Sequence, residues 1–83
     1  MQKELILTID TGSDYYEIYD IGKHPTYHVL MSREKGEEDF ECEFSTLREI
    51  LKKHIQKEIN IINPKGAKVL NAALRGLDID GDI

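Results

Sequence analysis

Tryptophan is absent from this sequence, cysteine occurs once, and proline occurs twice. With Cys42 alone, no internal disulfide can form and no cysteine pair can complete a zinc set. Long apolar runs are missing as well. The first one, Leu5–Ile9, is interrupted by Thr8 and is far too short for a membrane span or a signal peptide. A cytoplasmic location without a membrane partner is the expectation. There is no internal repeat and no low-complexity stretch. No catalytic or metal-ligating set is complete, and no cofactor site is apparent.

What is present fits one small domain. At 83 residues the chain buries only about 60% of its unfolded surface, enough to fold with little margin. An apolar fraction of 40% beside a charged fraction of 33% describes a core under a heavily charged surface. The net charge of -5 conceals a division. Residues 1–44 carry four basic and eleven acidic side chains, whereas residues 45–76 carry seven basic and two acidic ones. The tail 77–83 adds Asp78, Asp80 and Asp82. It reads as an acidic, flexible extension to a domain spanning 1–76. Asymmetry of this kind bears on partners more than on fold.

Periodicity gives the expected fold class: α+β, with a small antiparallel sheet of three or four strands followed by two helices packing on it. The alternation over Leu5–Ile9 predicts a strand ending near Asp10, before the turn Thr11-Gly12-Ser13-Asp14. Tyr15–Ile21 and Thr26–Ser32 predict two more, separated by Gly22-Lys23-His24-Pro25. Phe40-Glu41-Cys42-Glu43-Phe44 alternates strictly between an apolar and an acidic face.

Leu47, Ile50, Leu51, Ile55 and Ile59 then recur at helical spacing. They predict a helix over about 46–58, with Thr46 and Glu49 as a reciprocal capping box. Ile59–Ile62 reads as a possible short strand. Asn63-Pro64 is a cap followed by a first-turn proline, and Gly76 can end a second helix over 64–75.

The sheet's inner face is expected to hold Leu5, Leu7, Ile9, Ile18, Val29, Met31, Phe40, Cys42 and Phe44. The other face would carry Ile6, Tyr15, Tyr19 and Leu30 beside Glu17, Glu41 and Glu43. That is less polar than a solvated face, so either the second helix or another molecule should cover it.

Ile9-Asp10-Thr11-Gly12-Ser13 resembles the active-site signature of aspartic peptidases, in which paired carboxylates share a proton. The resemblance covers about five residues and implies a homodimer, since one chain holds one such Asp. Those enzymes need a glycine after a later apolar pair, and here Asn63 follows Ile61-Ile62. A glycine-rich flap is missing too. The order of elements also resembles the first half of ribonuclease-H-like folds, which implies Asp10 and Glu49 as metal ligands. Asn63 stands where a further Asp belongs, and Glu49 already has a capping role. The Asp-x-Gly string occurs in sugar-kinase and actin-like phosphate loops as well, but those need a far longer chain. A turn served by Asp10 and Gly12 accounts for the string more simply.

Other candidates are thinner. His24 and His28 are about 13 Å apart on an extended strand, too far to share an ion. His54 falls on the helix's apolar stripe, with Glu58 one turn on. Cys42 alternates inward and reads as a small buried hydrophobe. Asp78-Ile79-Asp80-Gly81-Asp82 is similar to the opening of a calcium loop but lacks its later ligands.

The reading that remains is an acidic protein-interaction module of inhibitor or adaptor type, rather than an enzyme. This profile is frequent among phage and mobile-element proteins. The candidate binding residues are Tyr15, Tyr19, Glu17, Glu41, Glu43, Glu37, Glu38 and Asp39, and at least two of the four tyrosines should point away from the core. Tyrosine suits interfaces because it is large, rigid and amphipathic. A larger protein partner, or a homodimer burying the outer face, is expected. The alternative is nucleic-acid binding through a basic helical face formed by Arg48, Lys52, Lys53 and Lys57. The absence of any aromatic among those lysines weighs against it.

Overall fold

The structure, a computed structural model, describes residues 3–76. The acidic tail and its calcium-like string lie outside the described residues. Seven elements follow in order: β1 (Glu4–Asp10), β2 (Asp14–Lys23), β3 (Thr26–Arg33), β4 (Gly36–Glu43), α1 (Phe44–Lys53), β5 (Glu58–Ile61) and α2 (Pro64–Arg75). The strands form one antiparallel sheet in the order β4-β3-β2-β1-β5. The α+β class is as expected, but the sheet has five strands, and the short β5 joins it beside β1.

Both helices pack on the same face. α1 lies over β3 and β4, α2 over β1 and β5, and the two touch each other. Between them and the sheet lies a core of Ile6, Leu7, Ile9, Ile18, Tyr27, Val29, Phe44, Leu47, Leu51, Val69, Ala72 and Ala73. The expectation that α2 might cover the other face is therefore not met.

One inner-face and one outer-face assignment are also corrected. A β-bulge between Leu5 and Leu7 sets two consecutive residues, Ile6 and Leu7, into the core. A bulge shifts the in-out alternation by one residue. Ile6 is thus fully buried instead of outward, and Leu5 takes the outer position opposite Tyr19.

α1 begins at Phe44, two residues before the expected Thr46, and no side chain caps it. The Phe44 N–H donates instead to the Pro25 carbonyl at 2.9 Å, extending the β3–β4 ladder directly into the helix. Burying the Phe44 ring outweighs the local capping box, and Ser45 and Thr46 stay exposed. The helix ends at Lys53, before the expected Glu58. Residues 54–57 are turn, and they carry the chain toward β5. α2 follows the sequence rules closely. The Asn63 side chain accepts from the Lys65 and Gly66 N–H groups, Pro64 opens the helix, and Gly76 closes it at φ 71°. Asn63 also donates to the Leu5 carbonyl at 3.1 Å, tying the cap to the bulged strand.

Candidate functional site

Cross-strand pairing places the outward side chains of the sheet in rows. One row reads Glu37, Ser32, Tyr15, Asp10 and Glu58 from β4 to β5. The next reads Asp39, Leu30, Glu17, Thr8 and Asn60. The third reads Glu41, His28, Tyr19 and Leu5, and Glu43 with Thr26 begins a fourth. Seven carboxylates thus share one face: Asp10, Glu17, Glu37, Asp39, Glu41, Glu43 and Glu58. They surround a strip of Tyr15, Tyr19, Leu30 and Leu5 that no described element covers.

The strip is organised from within. The Tyr19 hydroxyl donates to Glu17 Oε1 at 2.9 Å, the Lys3 ammonium lies 4.6 Å from the Tyr19 ring centroid, and His28 meets that ring edge-on. Burial, helped by the hydrogen bond to Glu17 and by its charge, holds the Tyr19 phenol above its ordinary value. It therefore stays neutral at physiological pH and can act as donor or acceptor. Ser32 and Glu37 approach at 3.4 Å. Thr8 is buried at the centre of the face.

Of the eight residues expected from the sequence, the structure brings seven onto this face: Tyr15, Glu17, Tyr19, Glu37, Asp39, Glu41 and Glu43. Glu38 pairs with Met31 and so belongs to the other side, where its carboxylate approaches Arg33 at 4.0 Å. The tyrosines divide evenly. Tyr15 and Tyr19 face out, while Tyr16 and Tyr27 face the helices. Asp10, Glu58, His28 and Lys3 join the site without having been singled out for it. Glu58 escaped notice because only the pairing of β5 with β1 puts it in Asp10's row.

The helix layer has the opposite charge. Arg48, Lys52, Lys53, Lys57, Lys65, Lys68 and Arg75 lie there with a single acid, Glu49. The basic face expected on α1 is shorter than foreseen, because Lys57 falls in the turn beyond the helix. Arg48 lies over the Phe44 ring at 5.9 Å. Lys65 is committed to Glu4 at 3.0 Å and Asp20 at 3.4 Å. The bipolar sequence has become a two-faced molecule.

Comparison with known proteins finds no matching family model, no similar curated protein and no similar solved structure.

Asp10 shows a turn's geometry. Its Oδ1 accepts from the Gly12 N–H at 2.9 Å, Gly12 adopts φ 95°, and Thr11 Oγ1 accepts from the Asp14 N–H at 2.9 Å. Glu49 sits on α1, so the sheet separates it from Asp10 and the two cannot share an ion. No group of three or more potential metal ligands occurs among the described residues. His54 ends α1, its ring 5.2 Å from that of Tyr16. Burial, with the charges of Lys53 and Lys57, lowers its pKa. Burial raises that of the half-buried Cys42 thiol, which disfavours the nucleophilic thiolate. Among the described residues no helix is long and apolar enough to cross a membrane.

Proposed function

We propose that the chain is a small protein-interaction module, of inhibitor or adaptor type, whose outer sheet face docks on a basic surface of a larger protein. One observation carries this reading: seven carboxylates in register around an uncovered strip containing Tyr15, Tyr19 and Leu30. A rim of one charge sign steers an oppositely charged partner and sets orientation. Apolar and aromatic groups at the centre supply the desolvated contact. The hydrogen bond from Tyr19 to Glu17 fixes the central aromatic before binding, which reduces the ordering cost.

The test is affinity capture from the source cells with two baits: the native chain and a variant carrying Glu17→Lys, Asp39→Lys and Glu41→Lys. The expected result is a partner with a basic docking surface, retained by the native chain, eluted by salt and lost by the variant. Circular dichroism would confirm that the variant is folded. If both baits hold the same proteins equally, the acidic face is not the docking surface.

A second reading rests on the helix layer, whose segments carry seven basic groups and one acid, Lys65 being already paired with Glu4 and Asp20. Such a layer attracts phosphate backbones with steep salt dependence. Titrating single- and double-stranded DNA and RNA at two salt concentrations separates the readings, with Lys52→Glu/Lys53→Glu as the control variant. Tight, salt-sensitive binding lost in that variant would favour nucleic acid.

A further inference from the structure

The two edges of the sheet are built differently. β4 is charged along its length, with Glu37, Glu38, Asp39, Glu41 and Glu43, and charge is a common guard against strand-to-strand association. β5 has only Glu58, at its start, followed by Ile59, Asn60 and Ile61. Three of the four large aliphatic side chains exposed among the described residues lie in or beside this strand: Ile61 at 50%, Ile62 at 50% and Ile55, in the turn leading to β5, at 44%, while the fourth, Leu74, is on α2.

Among the described residues no strand pairs with the outer side of β5. The Ile62 N–H donates to the Ile6 carbonyl, and the β1–β5 register is Leu7 with Ile61, Thr8 with Asn60 and Ile9 with Ile59. In an antiparallel ladder the bonded pairs alternate, so Glu58, Asn60 and Ile62 bond to β1. The N–H and carbonyl groups of Ile59 and Ile61 then point away from the sheet.

We infer that β5 is a self-pairing edge, and that a second copy of this chain adds its own β5 antiparallel to it about a twofold axis at Asn60. Ile59 would exchange both backbone bonds with the partner's Ile61, and the reverse. Asn60 would face the partner's Asn60, and Glu58 the partner's Ile62. No like charges meet between the two paired strands, whereas β4 paired with itself would set carboxylate against carboxylate.

The helix layer fits the same arrangement. α2 lies over β1 and β5, so two copies of α2 would flank the seam. A twofold axis normal to the sheet keeps both acidic faces on one side, which doubles the docking face proposed above into a continuous, bivalent surface. The inference does not depend on what binds there. A seam built on one four-residue strand from each copy is small beside the about 1,000 Å² that marks a stable specific interface, so the dimer should be concentration-dependent.

Sedimentation equilibrium of the full chain should show a mass moving from 9.6 kDa toward twice that value as concentration rises into the micromolar range. Ile61→Pro removes only an outward N–H and leaves the β1 ladder intact, so it should weaken dimerisation at least tenfold while the fold is retained. A second measurement covers the case in which that variant misfolds. In a Cys42→Ser background, Asn60→Cys places two thiols across the axis at disulfide distance, and mild oxidation should cross-link it. Asp39→Cys on β4 should not cross-link. A strict monomer at high concentration overturns the proposal. So does a dimer that fails to cross-link at position 60 or that dissociates on Tyr15→Lys, which would put the contact on the outer face.

Discussion

Gly66 in α2 lies directly against the Ile6 carbonyl of the β1 bulge. A methyl group added at Gly66 would overlap that oxygen and come within 2.8 Å of its carbon. The carbonyl cannot simply retreat, because it accepts the Ile62 N–H that joins β1 to β5. Bulge, edge strand and second helix are therefore fastened at one point. We expect Gly66→Ala to destabilise the chain. Helix propensity favours alanine by about 1 kcal/mol, and overpacking against backbone costs about 1–3 kcal/mol or more. The urea midpoint should fall, and a rise would show that α2 can lift from β1 without penalty.

Asn63 serves α2 twice, accepting from Lys65 and Gly66 and donating to the Leu5 carbonyl. Asn63→Ala loses both functions and should cost about 1–2 kcal/mol. Asn63→Asp keeps the cap but sets a carboxylate against that carbonyl. It should fall between the native chain and the alanine variant in thermal melts at neutral pH. Equal losses in the two variants would mean that the bond to Leu5, and not the cap, carries the effect.

Tyr27 is buried under the helices, and its phenol pKa is pushed up to about 12 by burial and by the charge of Asp20, partly offset by Lys65. An unfolded tyrosine ionises near 10. Between those values the unfolded chain holds fewer protons than the folded one, so stability falls as pH rises from 10 towards 12. The contribution is fully present below pH 10. Phenolate absorbance should show its last component titrating together with unfolding, and Tyr27→Phe should remove that component.

Asp10→Asn should leave the turn intact, because an amide oxygen can still accept the Gly12 N–H. Asp10→Ala loses that exposed bond and should cost about 0.5–1 kcal/mol. Denaturation curves for both variants would decide. A loss well beyond this in the asparagine variant would mean that the charge itself matters at the turn.

Much of the local structure was legible in order along the chain. Asn63-Pro64 and Gly76 bound α2 where capping rules put them, since those bonds are made within a few residues. The strict alternation around Phe40–Phe44 announced a strand with an acidic face, and Thr11–Asp14 announced a turn. Seven of the eight candidate binding residues share a face because alternation within a strand survives folding.

The failures lie where a distant partner decides. Ile6 and Leu5 exchange faces because a bulge opposite β2 inserts one residue, and no local residue pattern marks that insertion. Thr46 and Glu49 make an adequate capping box, yet α1 starts at Phe44, where the Pro25 carbonyl and a buried ring offer more than a side-chain cap. The sequence by itself determined the class of fold, the ends of α2 and the segregation of acid from base along the chain. Only the tertiary structure decided that both helices share one side and that β5 sits beside β1. Those two choices expose the acidic rows and leave at the edge a strand whose one charge, Glu58, stands at its start. They depend on which apolar surfaces bury one another across tens of residues, and that is not written in the spacing of any one segment.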